Sequence, residues 1–262
     1  MDAIPIWILF TATVVIMVIA IELGYVLGNS IRLRSKNEKE SSVSNSVGYT
    51  FSMLGFFLVF MFGIVYSRYD SKKELVREEA NSIRTTFMRS DFLPEKDQQE
   101  AEALLIKYVD LRLEAVKTRN LEKVQKALKE SVRIQNQLWN MAVVNARKDM
   151  NSDVAALYIE SLNDMNNLQA MRIAVGLQTR IPYGIWLLLY VLVILGMFSI
   201  GYQIAVAGSS RRSWVMSIVV LSFSTVIILI ASLDRPEGGF ITVSQQPLMD
   251  LRIFMGEGTN AP

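Results

Sequence analysis

The side chains that could do chemistry in this chain are carboxylates, amides and guanidinium groups, because the sequence contains neither Cys nor His. That composition excludes thiolate and disulfide chemistry, iron–sulfur ligation and imidazole catalysis, and it removes the usual ligands of zinc. The spacings typical of an EF-hand, a phosphate-binding Gly loop or a pair of catalytic carboxylates do not occur. We therefore predict no catalytic residue, no metal site and no cofactor, and we do not expect an enzyme.

Polar residues gather at two places in the middle of the sequence. The first group is Glu78, Glu79, Asn81 and Arg84, and the second, within 163–167, supplies three Asn and one Asp. If the two groups face each other, they could line a vestibule or hold a cation. A solvated helix face, with its charges spaced along the helix, explains the same pattern without a function. Both interpretations stay open at this point.

One carboxylate lies inside an apolar stretch. Glu22 is the single charged residue between Ile4 and Leu27, and it lies about one helical turn and a half from the end of that stretch. Ionisable groups within a membrane are often functional or paired, so Glu22 is a candidate proton or ion site. Its position near the end of the stretch also allows a partly hydrated, structural role.

Apolar stretches of membrane-spanning length must position these residues. The chain is 51% hydrophobic yet 20% charged, which indicates an integral membrane protein with one substantial aqueous portion. Spans of about 20 residues are predicted at about 4–27, 48–66, 181–205 and 214–233. The first lacks a basic n-region and is too long for a signal-peptide core, so we expect it to be retained. The second continues without Pro into charged sequence, which predicts one helix that leaves the membrane near Tyr66 and runs on into water.

Between the second and third spans the sequence predicts an aqueous helical bundle. Its four helices are the continuation to about Ser90 and three more, which start at Glu95, after a cap at Asn120 and after a cap at Ser152. The apolar line expected on the last helix is Val154, Leu157, Ser161, Met165, Leu168 and Val175. Helices of this length joined by short turns should pack antiparallel and bury such lines together.

The predicted fold is an all-α integral membrane protein with two spans, an extramembrane antiparallel four-helix bundle, and two more spans. Its divisions are a first hairpin at 1–66, the bundle at 67–180, a second hairpin at 181–233 and a membrane-proximal tail at 234–262. The tail carries a short amphipathic helix, Gln246–Met255, with Leu248, Leu251 and Phe254 facing one way. We expect the tail to be held against the membrane surface.

Lys and Arg near the span ends predict the orientation. The two short connectors share one side of the membrane and carry Arg32, Arg34, Lys36, Lys39, Arg211 and Arg212. The termini carry only Arg235 and Arg252. By the positive-inside rule the connectors are cytoplasmic, so the bundle and both termini are predicted outside the cytoplasm, although basic residues at the bundle's own membrane end count against this. A net charge of +2 indicates no nucleic-acid partner.

Several segments resemble the bacterial bestrophin-like family of membrane proteins, over nearly the whole chain and in the same order. They include LGFFLVFMFGIVYSRYD, LVREEANSIRTTFMRSDFLPE and LDRPEGGFITVSQQPLMDLR. The resemblance implies kinship with bestrophins, pentameric anion channels with two spans, a helical insert held in the cytoplasm and two more spans. It therefore implies a homo-oligomer in the lipid bilayer of the bacterial inner membrane, with chloride or other small anions as partners.

In bestrophins the second span lines the pore and presents bulky apolar residues at four-residue intervals as a narrow neck. Placed on that pattern, this chain contributes Phe56, Phe60 and Ile64. Around a symmetry axis they would form stacked apolar rings that gate by dewetting and present aromatic edges to anions. The alternative is that they pack against neighbouring helices or lipid.

Two hypotheses about function result. The first is an oligomeric, anion-conducting pore with the second span at the axis. The second is a non-conducting membrane scaffold or sensor whose helical bundle binds a partner.

Overall fold

The chain is all-helical in the computed structural model, which describes residues 5–34, 40–118, 121–175, 180–208, 214–235 and 241–258. The α-helices in those ranges are α1 (Ile6–Arg34), α2 (Glu40–Arg89), α3 (Glu95–Lys117), α4 (Leu121–Ala146), α5 (Asp153–Ile173), α6 (Tyr183–Val206), α7 (Trp214–Asp234) and α8 (Gln246–Gly258). The all-α prediction is confirmed. The predicted cap Asn120 and the connector residues Lys36, Lys39, Arg211 and Arg212 lie outside the described residues.

Four of these helices, α1, α2, α6 and α7, are long and apolar enough to cross a membrane, so the prediction of four spans is confirmed. The second span is part of a single helix of 50 residues, Glu40–Arg89. It continues past Tyr66 because no Pro interrupts it. It ends in a short 3-10 turn, Ser90–Phe92, before Pro94 precedes the first residue of α3.

The chain forms two compact units. The membrane unit comprises Met1–Tyr69 and Arg180–Thr242, and the bundle unit comprises Asp70–Thr179 and Val243–Pro262. The residues after Thr242 thus belong to the same unit as α3, α4 and α5. The domain boundaries at residues 66, 180 and 233 remain predictions.

The core of the membrane unit includes one face of α2. Leu54, Leu58, Met61 and Val65 are all buried, at steps of four and three residues that keep them on one side of a helix. They belong to one apolar cluster with residues of α1, α6 and α7, namely Met17, Trp186, Leu189, Val193, Met197, Ile227 and Ile230. The side chains on this face of α2 therefore pack against other helices of the same chain.

Helices α1 and α6 approach to backbone contact at glycines. A Cβ atom added at Gly24 would collide with the carbonyl of Phe198, and one added at Gly201 would collide with the carbonyl of Ile21. A Cβ at Gly28 would lie 2.8 Å from the carbonyl oxygen of Tyr202 on α6. Small residues at such crossings let spans pack closely where lipid supplies little driving force for association. The pair Gly24 and Gly28, four residues apart, is the sequence signal for this contact.

The core of the bundle unit is built from α2, α3, α4 and α5. Its fully buried apolar side chains include Ile83, Leu105, Val109, Ile134, Leu138 and Met165. Helix α5 begins at the predicted cap, where the backbone amide of Ala155 donates to the hydroxyl of Ser152 at 3.2 Å.

Helix α8 completes that core. Leu248, Leu251 and Met255 are buried in the same cluster as the bundle helices, so the predicted apolar face of the tail helix exists. The face packs into the bundle, a contact that the sequence did not predict, and a position of the tail at the membrane surface stays a prediction. At its edge, the Phe254 ring meets the Phe87 ring edge-on, with centroids 6.3 Å apart.

Candidate functional site

Two of the three candidate neck residues lie on the part of α2 that its own chain leaves exposed. Phe56 and Phe60 are 74% and 56% exposed, whereas Ile64 is half-buried. Each four-residue step advances about 40° around a helix, so a line through these residues turns back toward the buried face at Ile64. Whether this face lies on an axis stays a prediction, since lipid could cover it equally well.

Glu22 lies on α1 in the membrane unit and is half-buried. A half-buried carboxylate is compatible with both interpretations from the sequence, an ion or proton site and a structural role. Its role stays a prediction.

In the bundle unit, the two predicted polar groups face each other across a groove between α2 and α5. The groove has a volume of about 670 Å³, and its lining includes Glu78 and Asn81 from α2 with Asp164 and Asn167 from α5. Among the described residues, no group of three or more Asp or Glu side chains is placed to hold a metal ion. The groove therefore offers separate carboxylates and amides, and its use as a vestibule lining stays a prediction.

Arg84 and Arg89, also on α2, have different surroundings. The guanidinium of Arg84 lies over the Phe254 ring, 4.2 Å from its centroid, which is a cation–π contact with α8. Arg89 lines the groove, donates to the carbonyl of Leu157 at 2.6 Å, and lies 3.5 Å from a carboxylate oxygen of Glu160. Both cations thus tie α2 to a neighbouring helix.

Glu79, which the sequence grouped with these residues, does not line the groove. Its side chain is completely buried, and each carboxylate oxygen accepts from a different guanidinium. Arg112 Nε on α3 donates to Oε1 at 2.8 Å, and Arg172 Nη1 on α5 donates to Oε2. Arg172 also donates to the side-chain oxygen of Gln245, in the segment that leads into α8. One carboxylate therefore joins three bundle helices, and Arg172 extends the network to the tail.

Burial shifts the pKa values in this network. Desolvation lowers the pKa of Arg112, and it lowers the pKa of Arg172 to about 10. Tyr108, one turn before Arg112 on α3, has its pKa raised to about 12 by burial, against the opposing effect of the Arg112 charge. The sequence analysis missed Arg112, Arg172 and Tyr108 as members of a site. The available signal was a charged residue, Arg112, next to Leu111 in the sequence and four residues after Tyr108.

In the membrane unit, Asp234 at the end of α7 connects three segments. Its carboxylate lies 3.6 Å from Arg68 on α2 and accepts from the backbone amide of Ile181 at 3.2 Å. The guanidinium of Arg180 donates to the backbone carbonyl of Asp234 at 2.5 Å. These contacts join the residues just before α6 to the end of α7.

Comparison with known proteins identifies the family. A family model described as a Bestrophin-like domain matches residues 8–248. Two crystal structures of a bacterial bestrophin homolog from Klebsiella pneumoniae, each with one substitution, have the same fold. They are 16% and 15% identical to this chain, with TM-scores of 0.67 and 0.68, and each pairing covers 98% of this chain and 99% of that one. No curated protein sequence matches the chain.

The likeness to solved structures extends over nearly the whole length of both chains, so it establishes the fold. The family model covers most of the sequence, including all four spans and the bundle between them. The chain therefore belongs to the bestrophin-like family and is a channel-like integral membrane protein.

Proposed function

We propose that this protein assembles into a homo-oligomeric membrane pore that conducts small anions such as chloride, with α2 at the axis. One observation carries the proposal. Leu54, Leu58 and Met61 on one side of α2 are buried in the chain's own core, whereas Phe56 and Phe60 on the other side are exposed. A span with bulky aromatic residues on its uncovered side is suited to face copies of itself.

A path for ions requires more than one copy. Four spans whose cores are filled by apolar side chains leave little room for water inside one protomer. Around an axis, Phe56 and Phe60 would form rings one helical turn apart, and the positive edges of aromatic rings tolerate anions. The kinship with bestrophins indicates a ring of five.

Alanine substitution of Phe56, Phe60 and Ile64 together is expected to change anion flux into liposomes at least several-fold, because it removes the bulk of the neck. Flux is measured with the purified protein reconstituted at a fixed ratio of protein to lipid. The matched control replaces Leu187, Val191 and Leu195 of α6, which are exposed at the same four-residue spacing. Equal flux in the neck variant, the control and the wild type would exclude α2 as the neck.

The α2–α5 groove favours the second hypothesis, a scaffold or sensor whose bundle binds a partner. Its polar lining is open to solvent in the single chain, as a recognition surface would be. Mass measurement of the detergent-solubilised protein separates the two hypotheses. We expect a pentamer, and a monomer or dimer would favour the scaffold.

For orientation in the bacterial inner membrane, we propose that the bundle and both termini lie outside the cytoplasm. A reporter that is active only in the cytoplasm, fused after Pro262, is expected to be inactive, and one that is active only outside is expected to function. The opposite pattern would overturn the proposal and agree with the cytoplasmic insert of bestrophins.

A further inference from the structure

The Glu79 network of the bundle unit carries more positive than negative charge. Glu79 is completely buried and contacts two guanidinium groups, those of Arg112 and Arg172, so the three side chains together carry a charge of +1. Arg112 is only 6% exposed. Taking a charge out of water is costly unless an opposite charge and hydrogen bonds compensate it. The Arg172 side chain is 13% exposed, so most of this net positive charge lies away from water.

Hydrogen-bond donors next to Arg112 also lack acceptors. The hydroxyl of Tyr108, one turn away on α3, is completely buried and has no hydrogen-bond partner. On α4, the amide nitrogen of Gln135 is buried without a partner as well. The Gln135 side chain lies near enough to the Tyr108 hydroxyl to lower its pKa, but neither atom has a partner in full hydrogen-bond geometry. A buried donor without an acceptor is destabilising, because it has lost its hydrogen bonds to water.

An arginine fork has five N–H donors, and the contact with Glu79 uses the one on Nε. The Arg112 guanidinium and the Gln135 amide thus both lie beside the Tyr108 phenol, and all three groups carry N–H or O–H donors. What they lack is an acceptor that carries negative charge. A water molecule would supply the acceptor but leave the charge unbalanced, whereas a small anion supplies both.

We propose that Arg112, Tyr108 and Gln135 form a binding site for a small monovalent anion of halide size inside the bundle. The anion accepts from the phenol and the amide and balances the Arg112–Glu79–Arg172 network. This site is separate from the candidate neck on α2 and does not depend on whether the protein conducts ions. Its occupancy would couple the anion concentration to the stability of the bundle.

A second buried tyrosine provides the comparison. Tyr158 on α5 is 1% exposed, and its hydroxyl also has no partner. Its pKa is raised by burial alone, with no contribution from a charged neighbour. An unpartnered phenol therefore occurs in this bundle without a cation beside it, and the positive charge is what distinguishes the Tyr108 site.

The test measures thermal unfolding of the full-length, detergent-solubilised protein at constant ionic strength while gluconate is replaced by chloride or bromide. A ligand that binds only the folded state raises the melting temperature. We expect a saturable rise of about 2–4 °C for the wild type, which corresponds to about 1 kcal/mol for a chain of this size. The Tyr158→Phe variant should show the same rise, and the Tyr108→Phe variant should lose it.

Bromide-soaked crystals of the wild type give an independent measurement. We expect an anomalous peak within hydrogen-bond distance of the Tyr108 hydroxyl and the Arg112 guanidinium, and this decides the question even if Tyr108→Phe does not fold. A water molecule without anomalous signal at that position would overturn the proposal. So would a halide response that is absent in the wild type or equal in the two tyrosine variants.

Discussion

Replacing Glu79 by glutamine is expected to destabilise the bundle unit by about 3–5 kcal/mol. The substitution keeps the shape of the side chain but leaves the buried guanidinium of Arg112 and the partly buried one of Arg172 without a carboxylate. Neither guanidinium can release its proton readily enough to escape the penalty, because arginine stays protonated at neutral pH. Urea unfolding of the detergent-solubilised protein, followed by circular dichroism, measures the loss.

The matched control is Glu74→Gln, five residues before Glu79 on α2. Glu74 pairs with Arg77 at 3.2 Å, but both side chains are more than half exposed. Water and salt screen such a pair, so we expect a change within about 1 kcal/mol. Equal effects of the two substitutions would contradict the view that burial gives Glu79 its importance. Replacing Glu79, Arg112 and Arg172 together by methionine should recover much of the loss, because it removes all three charges of the network at once.

Replacing Gly201 by alanine is expected to lower the melting temperature by at least about 5 °C, which is an effect of about 2–3 kcal/mol. The added Cβ atom would collide with the backbone carbonyl of Ile21, so no side-chain rotation can relieve the clash. Helices α1 and α6 would have to separate along their length. Thermal unfolding and the yield of folded protein in detergent both report this change.

Gly184→Ala on the same helix serves as the control for that substitution. An added Cβ atom at Gly184 meets nothing within 4 Å. We expect a neutral or slightly stabilising effect, because alanine has the higher helix propensity. If Gly201→Ala were as harmless as this control, the close contact between α1 and α6 would be refuted.

The spans could be predicted from the sequence because length and apolar composition decide whether a helix crosses a membrane. The continuity of α2 followed equally simply from the absence of Pro. The close approach at Gly24 and Gly28 could also have been inferred from their spacing of four residues. These features depend on local sequence alone.

The residues of α5 that face the core were predicted only in part. Val154 and Leu157 are 44% and 41% exposed, whereas Tyr158 and Leu162 are buried. The two lines are about 100° apart on the helix, and both carry apolar residues. Burial of the larger aromatic ring removes more apolar surface from water, so the line with Tyr158 is preferred once the other helices surround it.

The position of Glu79 could not be predicted for a related reason. Along α2 it is one of several charged residues in a polar stretch, and nothing local separates it from Glu78. Its burial depends on Arg112 and Arg172, which lie 33 and 93 residues further along the chain. The neck candidates came from family resemblance, because apolar periodicity alone cannot distinguish a face toward an axis from one toward lipid.

The packing of α8 has a consequence for biosynthesis. The chain is made from its N-terminus, and Leu248, Leu251 and Met255 are synthesised after the four spans and the other bundle helices. Until they emerge from the ribosome, the apolar surface of α2 and α3 that they cover stays exposed. The bundle therefore completes its core only after the residues of α8 have left the ribosome. A nascent chain stalled before residue 246 would expose that apolar surface to chaperones and proteases.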